Sequence, residues 1–302
     1  MDPASFDPAP GVPVPLAPGL QRILAPNPSQ MTFRGTNTYL VGRTDVAVID
    51  PGPNLAQHCN AILSAIGPGQ RISHILVTHP HLDHSALAPA LSRLTGAPVL
   101  AFGPPSAGRS ARMHRLVAEG LSSGGEGVDT DFAPDICLPD GAVVTGSDWQ
   151  ITALWTPGHM SSHMAFVWQD ALLSGDLVMG WSSSIVSPPD GDLGDSLASC
   201  RRLARHPAKI HYPGHGAPIT DPKGRIDWLL SHRAHREAQI LTALAQSPAS
   251  IPELVDRIYA DLAPGLRTAA SRNVLAHLVD LCDRSRVTAR PRLSETADFQ
   301  RI

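Results

Sequence analysis

The chain has 302 residues, of which 42% are hydrophobic and 17% charged, and its formal net charge is -3. A chain of this length buries a full core and suits one large domain with a smaller one beside it. Its charge excludes a uniformly basic nucleic-acid-binding protein and a highly charged disordered chain.

The start of the chain and the cysteines indicate a compartment. The first residues have neither the basic start nor the apolar core of a signal peptide, and no run approaches the roughly 18 apolar residues of a membrane span. The four cysteines are far apart and form no CxxC pair, which argues against a zinc ribbon, a redox motif and a disulfide framework. Free thiols fit a reducing cytosol, so we expect a cytoplasmic protein without a membrane partner.

The first three quarters of the chain predict an α/β domain over residues 29–222. Residues 1–28 are rich in proline and should form an extended extension packed on or flanking that domain, with at most an edge strand near residues 20–24. Residues 103–135 predict a long excursion with a helix at 112–120, and residues 177–194 predict a loop. The expected strands are 35–41, 45–50, 72–77, 98–101, 142–144, 150–155, 164–168, 171–173 and 209–212, and the expected helices are 55–66, 85–91 and 196–205.

After Pro222 the pattern becomes helical. Helices are expected at residues 226–245, from Ser250, where Glu253 three positions later completes a capping box, and at 269–283. A small hairpin should follow around residues 287–290 and the tail. Residues 223–302 therefore predict a small, winged-helix-like C-terminal domain.

The most informative stretch is Thr78-His79-Pro80-His81-Leu82-Asp83-His84, which directly follows an apolar strand. Imidazole and carboxylate are the side chains that bind zinc in proteins. Two further histidines and an aspartate each follow a glycine at a predicted strand end, and an α/β fold gathers such ends at one edge. The seven candidate metal ligands are His79, His81, Asp83, His84, His159, Asp176 and His215.

The order HxHxDH, PGH, SGD and PGHG resembles the metallo-β-lactamase superfamily over residues 30–222. The resemblance implies a four-layer αββα sandwich with a metal site at one edge. It also implies that Asp176 bridges two zinc ions. The remaining ligands would form one set of His79, His81 and His159 and another of Asp83, His84 and His215.

A narrower resemblance, to the β-lactamase-like protein 2 group, is carried by residues 35–42, 212–216 and 231–237. That group has a winged-helix-like C-terminal domain, and its animal member is a zinc-dependent endoribonuclease. Leu177 stands after Asp176 where many relatives have a histidine, and we expect the metal set to be intact despite it.

These features predict a binuclear zinc-dependent hydrolase that uses a metal-bound hydroxide, with iron or manganese as alternative metals. Asp83 is the candidate catalytic residue, because it can orient the nucleophile. His163 is either an outer support of a ligand or substrate oxygen, or a structural histidine. Trp181 and Ser182 either border the substrate or only pack on the sandwich.

Three functions stay open. The resemblance favours RNA phosphodiester hydrolysis, for which the local basic cluster at residues 284–292 is either a contact surface or a solvated hairpin. A thioesterase of the glyoxalase II type, with a small-molecule substrate, is the alternative, although Arg257 and Tyr259 do not clearly reproduce its glutathione-binding pattern. The third is a non-catalytic regulator that binds nucleic acid and in which the metal has only a structural role. A β-lactamase is disfavoured because we expect no secretion, and a homodimer is one option for the assembly.

Overall fold

The computed structural model describes residues 5–122 and 127–302. Two β-sheets form the middle of the larger domain. The first has seven strands and the second has five, and in both sheets the strands lie side by side in chain order. The first sheet consists of β1 (Val14–Ala17), β2 (Leu20–Leu24), β3 (Asn37–Val41), β4 (Asp45–Ile49), β5 (Arg71–Leu76), β6 (Val99–Ala101) and β7 (Ile136–Cys137). The second consists of β8 (Val143–Thr145), β9 (Gln150–Trp155), β10 (Met164–Trp168), β11 (Ala171–Gly175) and β12 (Ile210–Pro213).

Helices cover the outer face of each sheet. Between the sheets, side chains such as Leu76 and Phe166, both fully buried, form one shared apolar core. Ile62 and Leu91 pack helices on the outside of the first sheet, and Leu203 packs on the outside of the second. These layers confirm the predicted αββα sandwich. The helices are α1 (Ala56–Ser64), α2 (Leu82–Ser85), α3 (Ala88–Thr95), α4 (Ala111–Ala118) and α5 (Leu193–Ala204).

The C-terminal domain has its own apolar core, in which Leu254, Leu278 and Phe299 are fully buried. The long helix α6 starts at Pro222, where the side chain of Asp221 caps it, and reaches from the sandwich into this core. The carboxylate of Glu253 accepts the backbone N–H of Ser250 at 2.8 Å, as the predicted capping box requires. The elements are α6 (Pro222–Gln246), β13 (Ala249–Ser250), α7 (Ile251–Ile258), a 3-10 turn (Pro264–Leu266), α8 (Arg267–Asp283), β14 (Val287–Arg290) and β15 (Asp298–Arg301).

Some sequence expectations are wrong in detail. The segment Leu20–Leu24 is not an edge strand, because it lies between β1 and β3. The surrounding prolines suggested an edge, but the strand pairs on both sides, and its residue Arg22 is buried with the guanidinium over the ring of Phe6. The helix expected at 85–91 is two helices, α2 and α3. The two-residue strands β7 and β13 are too short to leave a period-2 pattern.

The strand directions decide where the loops meet. β4, β5, β6 and β7 are parallel in the first sheet, and β11 and β12 are parallel in the second. β9 runs antiparallel to β10, which runs antiparallel to β11, so β9, β11 and β12 all end at one edge. The loops after β4, β5, β9, β11 and β12 therefore converge there.

Candidate metal centre

The loop after β5 and the short helix α2 carry the first four candidate ligands. His79 and His81 lie on the loop, while Asp83 and His84 lie within α2. The chain passes from loop to helix between the first pair and the second. The structure brings all seven predicted ligands together at this edge, in three overlapping groups.

Three imidazoles form the first group. The Nε2 atom of His79 lies 3.0 Å from Nδ1 of His81, and Nε2 of His159 lies 3.1 Å from the same atom. Ligand bonds of about 2.0–2.1 Å to a tetrahedral zinc would place neighbouring ligand atoms roughly 3.3 Å apart. The spacing of this group therefore suits one zinc-sized ion at its centre.

Asp83, His84 and His215 form the second group. The Nε2 atoms of the two histidines are 3.3 Å apart. The Oδ2 atom of Asp83 lies 3.4 Å from Nε2 of His84 and 3.3 Å from Nε2 of His215. These distances again suit one small ion with nitrogen and oxygen ligands.

Asp176 lies between the two groups. Its Oδ2 atom is 3.3 Å from Nε2 of His215 and 3.8 Å from Nε2 of His159, so one oxygen faces a histidine of each group. Its Oδ1 atom is buried without a hydrogen-bond partner among the described residues. A buried carboxylate oxygen without a partner is costly, and a shared cation would remove that cost.

The outer nitrogen of each of four histidines has its own partner. His159 Nδ1 lies 2.7 Å from the carbonyl oxygen of Ile185, and His215 Nδ1 lies 3.1 Å from that of Gly35. A carbonyl oxygen only accepts, so Nδ1 of both rings carries a proton and Nε2 faces the centre; this Nε2 carries a lone pair in His159 and could give up its proton to a metal in His215.

The other two rings depend on Asp50, which the sequence reasoning missed. His84 Nδ1 lies 2.9 Å from Oδ2 of Asp50. His79 Nδ1 lies 2.9 Å from Oγ1 of Thr78, and that hydroxyl donates to the same carboxylate at 2.8 Å. Because the hydroxyl proton is already used, His79 is the donor and its Nε2 also carries a lone pair.

This donor set fits a metal. Two Nε2 lone pairs, those of His79 and His159, meet at His81 Nδ1 at about hydrogen-bond distance. A single proton on His81 can satisfy one of them, and a cation satisfies all three nitrogens. Nitrogen and carboxylate oxygen together are the ligands expected for zinc, with iron or manganese also compatible.

The electrostatics of the cluster agree with that fit. Burial lowers the pKa of His81 to about 3, and the neighbouring His159 adds to the effect. Burial also opposes the charge of His215, but the carboxylates of Asp176 and Asp83 outweigh it and raise its pKa to about 10. For Asp176, the same histidine and His84 overcome burial and hold the pKa of the carboxyl well below its usual range. The carboxylates thus keep the negative charge that would attract a cation.

Close packing explains the glycines before the ligands. A Cβ atom on Gly214 would overlap the carboxylate of Asp176. Gly158 has a φ of +145°, and a Cβ there would overlap Ser196 at the start of α5. Glycine is required at these two positions by lack of space, and at Gly158 by the backbone conformation as well.

His163 is fully buried and does not join either group. Its Nδ1 lies 2.9 Å from Oγ1 of Thr156, and its Nε2 accepts the backbone N–H of Asp176 at 3.2 Å. It therefore contacts the backbone of Asp176 and no ligand atom of that residue, and both roles considered for it stay predictions.

Trp181 and Ser182 line a cavity of about 560 Å³ that opens from the ligand cluster. The indole of Trp181 stacks on Phe33 with ring centroids 5.0 Å apart. It also covers Gly216, where a Cβ would come within 2.8 Å of the indole. Trp181 thus both packs on the ligand loop and borders the cavity.

The C-terminal domain supplies one wall of this cavity, a role that its sequence pattern did not indicate. The cavity volume is in the range of small-molecule sites, roughly 300–1,000 Å³. Its lining joins ligands such as His81 and Asp83 to side chains of α6, α8 and the segment between α7 and α8. The C-terminal residues that line it include His232, Arg233, Arg236, Tyr259, Leu262, Leu266 and Asn273.

Two family models match the chain. The one described as "Metallo-beta-lactamase superfamily" matches residues 31–215, and the one described as "Beta-lactamase associated winged helix domain" matches residues 250–292. The latter confirms the predicted character of the C-terminal domain. No helix in the described ranges 5–122 and 127–302 is long and apolar enough to cross a membrane.

Several curated relatives are fungal proteins. An "Atrochrysone carboxyl ACP thioesterase" of Aspergillus fumigatus is 30% identical over 267 residues, which are 82% of this chain and 75% of the relative. The "Lactamase-like protein adaB" of Aspergillus niger is 30% identical over 258 residues, 80% of this chain and 73% of the relative.

Solved bacterial structures share the whole fold. A "metallo-beta-lactamase family protein" from Thermus thermophilus has a TM-score of 0.76 and 26% identity, and the match covers 95% of this chain and 100% of that one. A "Beta-lactamase domain protein" from Burkholderia ambifaria has a TM-score of 0.81 and 23% identity, with 99% and 96% covered. Both include the C-terminal domain.

Proposed function

The chain belongs to the metallo-beta-lactamase superfamily, and from that premise we propose that this hydrolase uses two zinc ions to cleave an acyl thioester. The observation that carries the proposal is the position of the two ligand groups, joined by Asp176, on a cavity lined by both domains. Relatives named as thioesterases support the choice of bond.

Each part of the chain has a defined task in this proposal. Zinc ions in the two groups would supply Lewis acidity and a bound water of lowered pKa. Asp83 lies at the cavity with its Oδ2 atom fixed by the hydroxyl of Thr36 at 2.9 Å. That hydrogen bond would hold the carboxylate where it can orient the attacking water and accept its proton.

The cavity favours an organic acyl group over a nucleic acid strand. Leu262, Leu266 and Ala270 present an apolar wall opposite the ligands, which suits the hydrocarbon part of a thioester. The basic cluster considered for RNA offers less positive charge than its sequence suggested. Arg284 pairs with Glu237 at 2.5 Å and with Asp280 at 2.9 Å. The ribonuclease activity, like the membership of the narrower group, stays a prediction.

A substrate panel tests the proposal directly. Zinc-loaded protein should hydrolyse N-acetylcysteamine thioesters of medium-chain acids faster than S-lactoylglutathione and should leave single-stranded RNA intact. Cleavage of the RNA without thioester turnover would contradict the thioesterase assignment and restore the ribonuclease prediction. Metal analysis of protein purified without chelator should give close to two zinc ions per chain.

The role of Asp83 can be separated from metal binding. Asp83→Asn should lower kcat about 100-fold or more, the usual effect of losing a general base. Asp129→Asn is the matched control, because this carboxylate accepts from Ser85 at 2.8 Å and is outside the ligand groups. Metal content is measured for both variants. A kcat for Asp83→Asn within a factor of two of the control, at equal metal content, would exclude the catalytic role.

A further inference from the structure

Two arginines on one wall of the cavity have no carboxylate partner within residues 5–122 and 127–302. His232, Arg233 and Arg236 of α6 line the same cavity as the ligands. Neither arginine forms an ion pair with any residue in the described ranges, although nine other arginines do. An unpaired guanidinium beside apolar surface is a strong attractant for an oxyanion.

The acidic residues of the cavity do not neutralise this wall. Asp83 and Asp176 belong to the ligand groups. Asp190 forms an ion pair with Arg109, with 2.9 Å between Nη2 and Oδ1. Every carboxylate that lines the cavity thus has another partner.

The two arginines have different roles. Arg233 is 8% exposed, and its guanidinium donates to Oδ1 of Asn273 at 2.9 Å and to the carbonyl oxygen of Ser184. Its guanidinium therefore links α6 to α8 and to the loop at Ser184. Arg236 is half-buried, and its Nη1 donates to Gln239 at 2.8 Å. Its Nε atom is buried and has no hydrogen-bond partner among the described residues.

Tyr259 fixes the position of Arg236. The guanidinium carbon lies 4.2 Å from the centroid of the tyrosine ring, which is a cation–π contact. Such stacking restricts the long side chain without using its N–H donors, so less entropy is lost when an anion binds. The local field is positive: burial and the nearby arginines 233 and 236 lower the pKa of His232 to about 4.

We propose that Arg236, stacked on Tyr259, binds an anionic oxyacid group, carboxylate or phosphate, of the substrate whose reactive bond lies at the metal centre. This assignment rests on the proposed function and defines the substrate class more narrowly. The substrate would have an apolar part against Leu262 and Leu266 and a negative group at Arg236. In a thioester, that group is either a carboxylate on the acyl part or the phosphate of a phosphopantetheine arm on the thiol part.

Four substrates distinguish the two sources. Hexanoyl and adipoyl thioesters differ by a terminal carboxylate, and each is made on N-acetylcysteamine, which is neutral, and on phosphopantetheine, which carries phosphate. The wild-type protein should show a kcat/KM about 10- to 100-fold higher for the thioester with the recognised anion than for its neutral counterpart. A factor of this size is what one charge-assisted hydrogen bond contributes. Preference for adipoyl places the anion on the acyl part, and preference for phosphopantetheine places it on the arm.

Variants of Arg236 then test the residue. Arg236→Gln should remove the preference by lowering kcat/KM of the anionic thioester towards that of its neutral counterpart, and Arg236→Lys should restore part of the preference. Lys223→Gln is the matched control, because it removes one positive charge from an exposed position of the same helix. An equal loss on all four substrates, or an unchanged preference, would overturn the assignment.

Equilibrium binding keeps this inference separate from the proposed function. If the wild-type protein hydrolyses none of the four thioesters, the thioesterase proposal fails. Calorimetric titration with pantetheine, phosphopantetheine, hexanoate and adipate then decides on Arg236. Tighter binding of phosphopantetheine than of pantetheine, or of adipate than of hexanoate, that is lost in Arg236→Gln and kept in Lys223→Gln supports the subsite. Equal binding by all three proteins refutes it.

Discussion

Replacing Asp50 by asparagine should weaken metal binding, although Asp50 is outside the three ligand groups. The residue is 2% exposed and follows β4. Its Oδ1 atom accepts the backbone N–H of Thr78 at 2.7 Å. Its Oδ2 atom accepts the hydroxyl of Thr78 at 2.8 Å and lies 2.9 Å from Nδ1 of His84. One buried carboxylate therefore orients the ligand-bearing loop and one ligand directly.

Asparagine can reproduce only half of these contacts. Its carbonyl oxygen can stay on the Thr78 N–H, but its amide group then faces two donors, the threonine hydroxyl and the imidazole N–H. Hydrogen bonds to a charged acceptor contribute about 1.5–3 kcal/mol each, so the variant should lose roughly 3 kcal/mol or more of its stability. Since outer partners of metal ligands typically change affinity 10- to 100-fold, zinc affinity should fall by about that factor.

Competition with a chromogenic chelator measures the affinity, and thermal melting in chelator measures the stability of the metal-free protein. Asp192→Asn is the matched control. Its carboxylate is 4% exposed, caps α5 and forms an ion pair with Arg112, so the variant should lose stability without losing zinc affinity. Zinc affinity of Asp50→Asn within twofold of the control would refute the argument that this carboxylate orients the site.

Three further changes probe the cavity and the ligand groups. Trp181→Ala should raise the KM of the true substrate about two- to tenfold with a smaller effect on kcat, because the variant loses the indole that stacks on Phe33 and lines the cavity. An unaltered KM would show that Trp181 only packs on the sandwich. Gly214→Ala should abolish tight zinc binding in a chelator titration, since its Cβ would overlap the carboxylate of Asp176. Gly96→Ala is the control: its φ is 74° and the space around it is open, so it should lower the free energy of unfolding by about 1 kcal/mol and leave the titration unchanged. The pKa of His215 rises to about 10 in the folded metal-free protein, so its ion pairs stabilise that form fully below pH 6.5 and are lost towards pH 10. Melting temperatures measured in chelator should therefore fall from pH 6.5 to pH 10. A flat profile would contradict the expected loss of stability with rising pH.

Local patterns were sufficient to predict the sandwich and the side chains that meet at its edge. Each strand of the larger domain that was predicted has a period or an apolar run of its own, and each ligand follows a strand end or a glycine. His159 and His215 are 56 residues apart in the printed sequence, yet the parallel direction of β9 and β12 places both at one edge. Once the strands are known, the rule that parallel strand ends meet at one edge assembles the site.

Asp50 shows why the supports of the ligands could not be predicted. Asp50-Pro51-Gly52 is typical of a turn, and nothing local distinguishes a turn aspartate from one that orients a histidine. Its role depends on the parallel pairing of β4 with β5, which places the start of one loop beside Thr78. The cavity wall was missed for the same kind of reason. The amphipathic pattern of α6 shows that the helix packs, but not which loop it packs against.

The C-terminal domain contacts the loop that supports one candidate metal ligand. Arg233 of α6 donates to the carbonyl oxygen of Ser184, and Asn273 of α8 accepts the backbone N–H of Val186 at 3.1 Å. Ile185 lies between Ser184 and Val186, and its carbonyl oxygen is 2.7 Å from His159 Nδ1. The domain therefore fixes the one backbone carbonyl that sets the tautomer and direction of this ligand. A winged-helix domain that acted only by binding nucleic acid would have no need of these contacts, and their position argues that this one completes and orients the hydrolytic site.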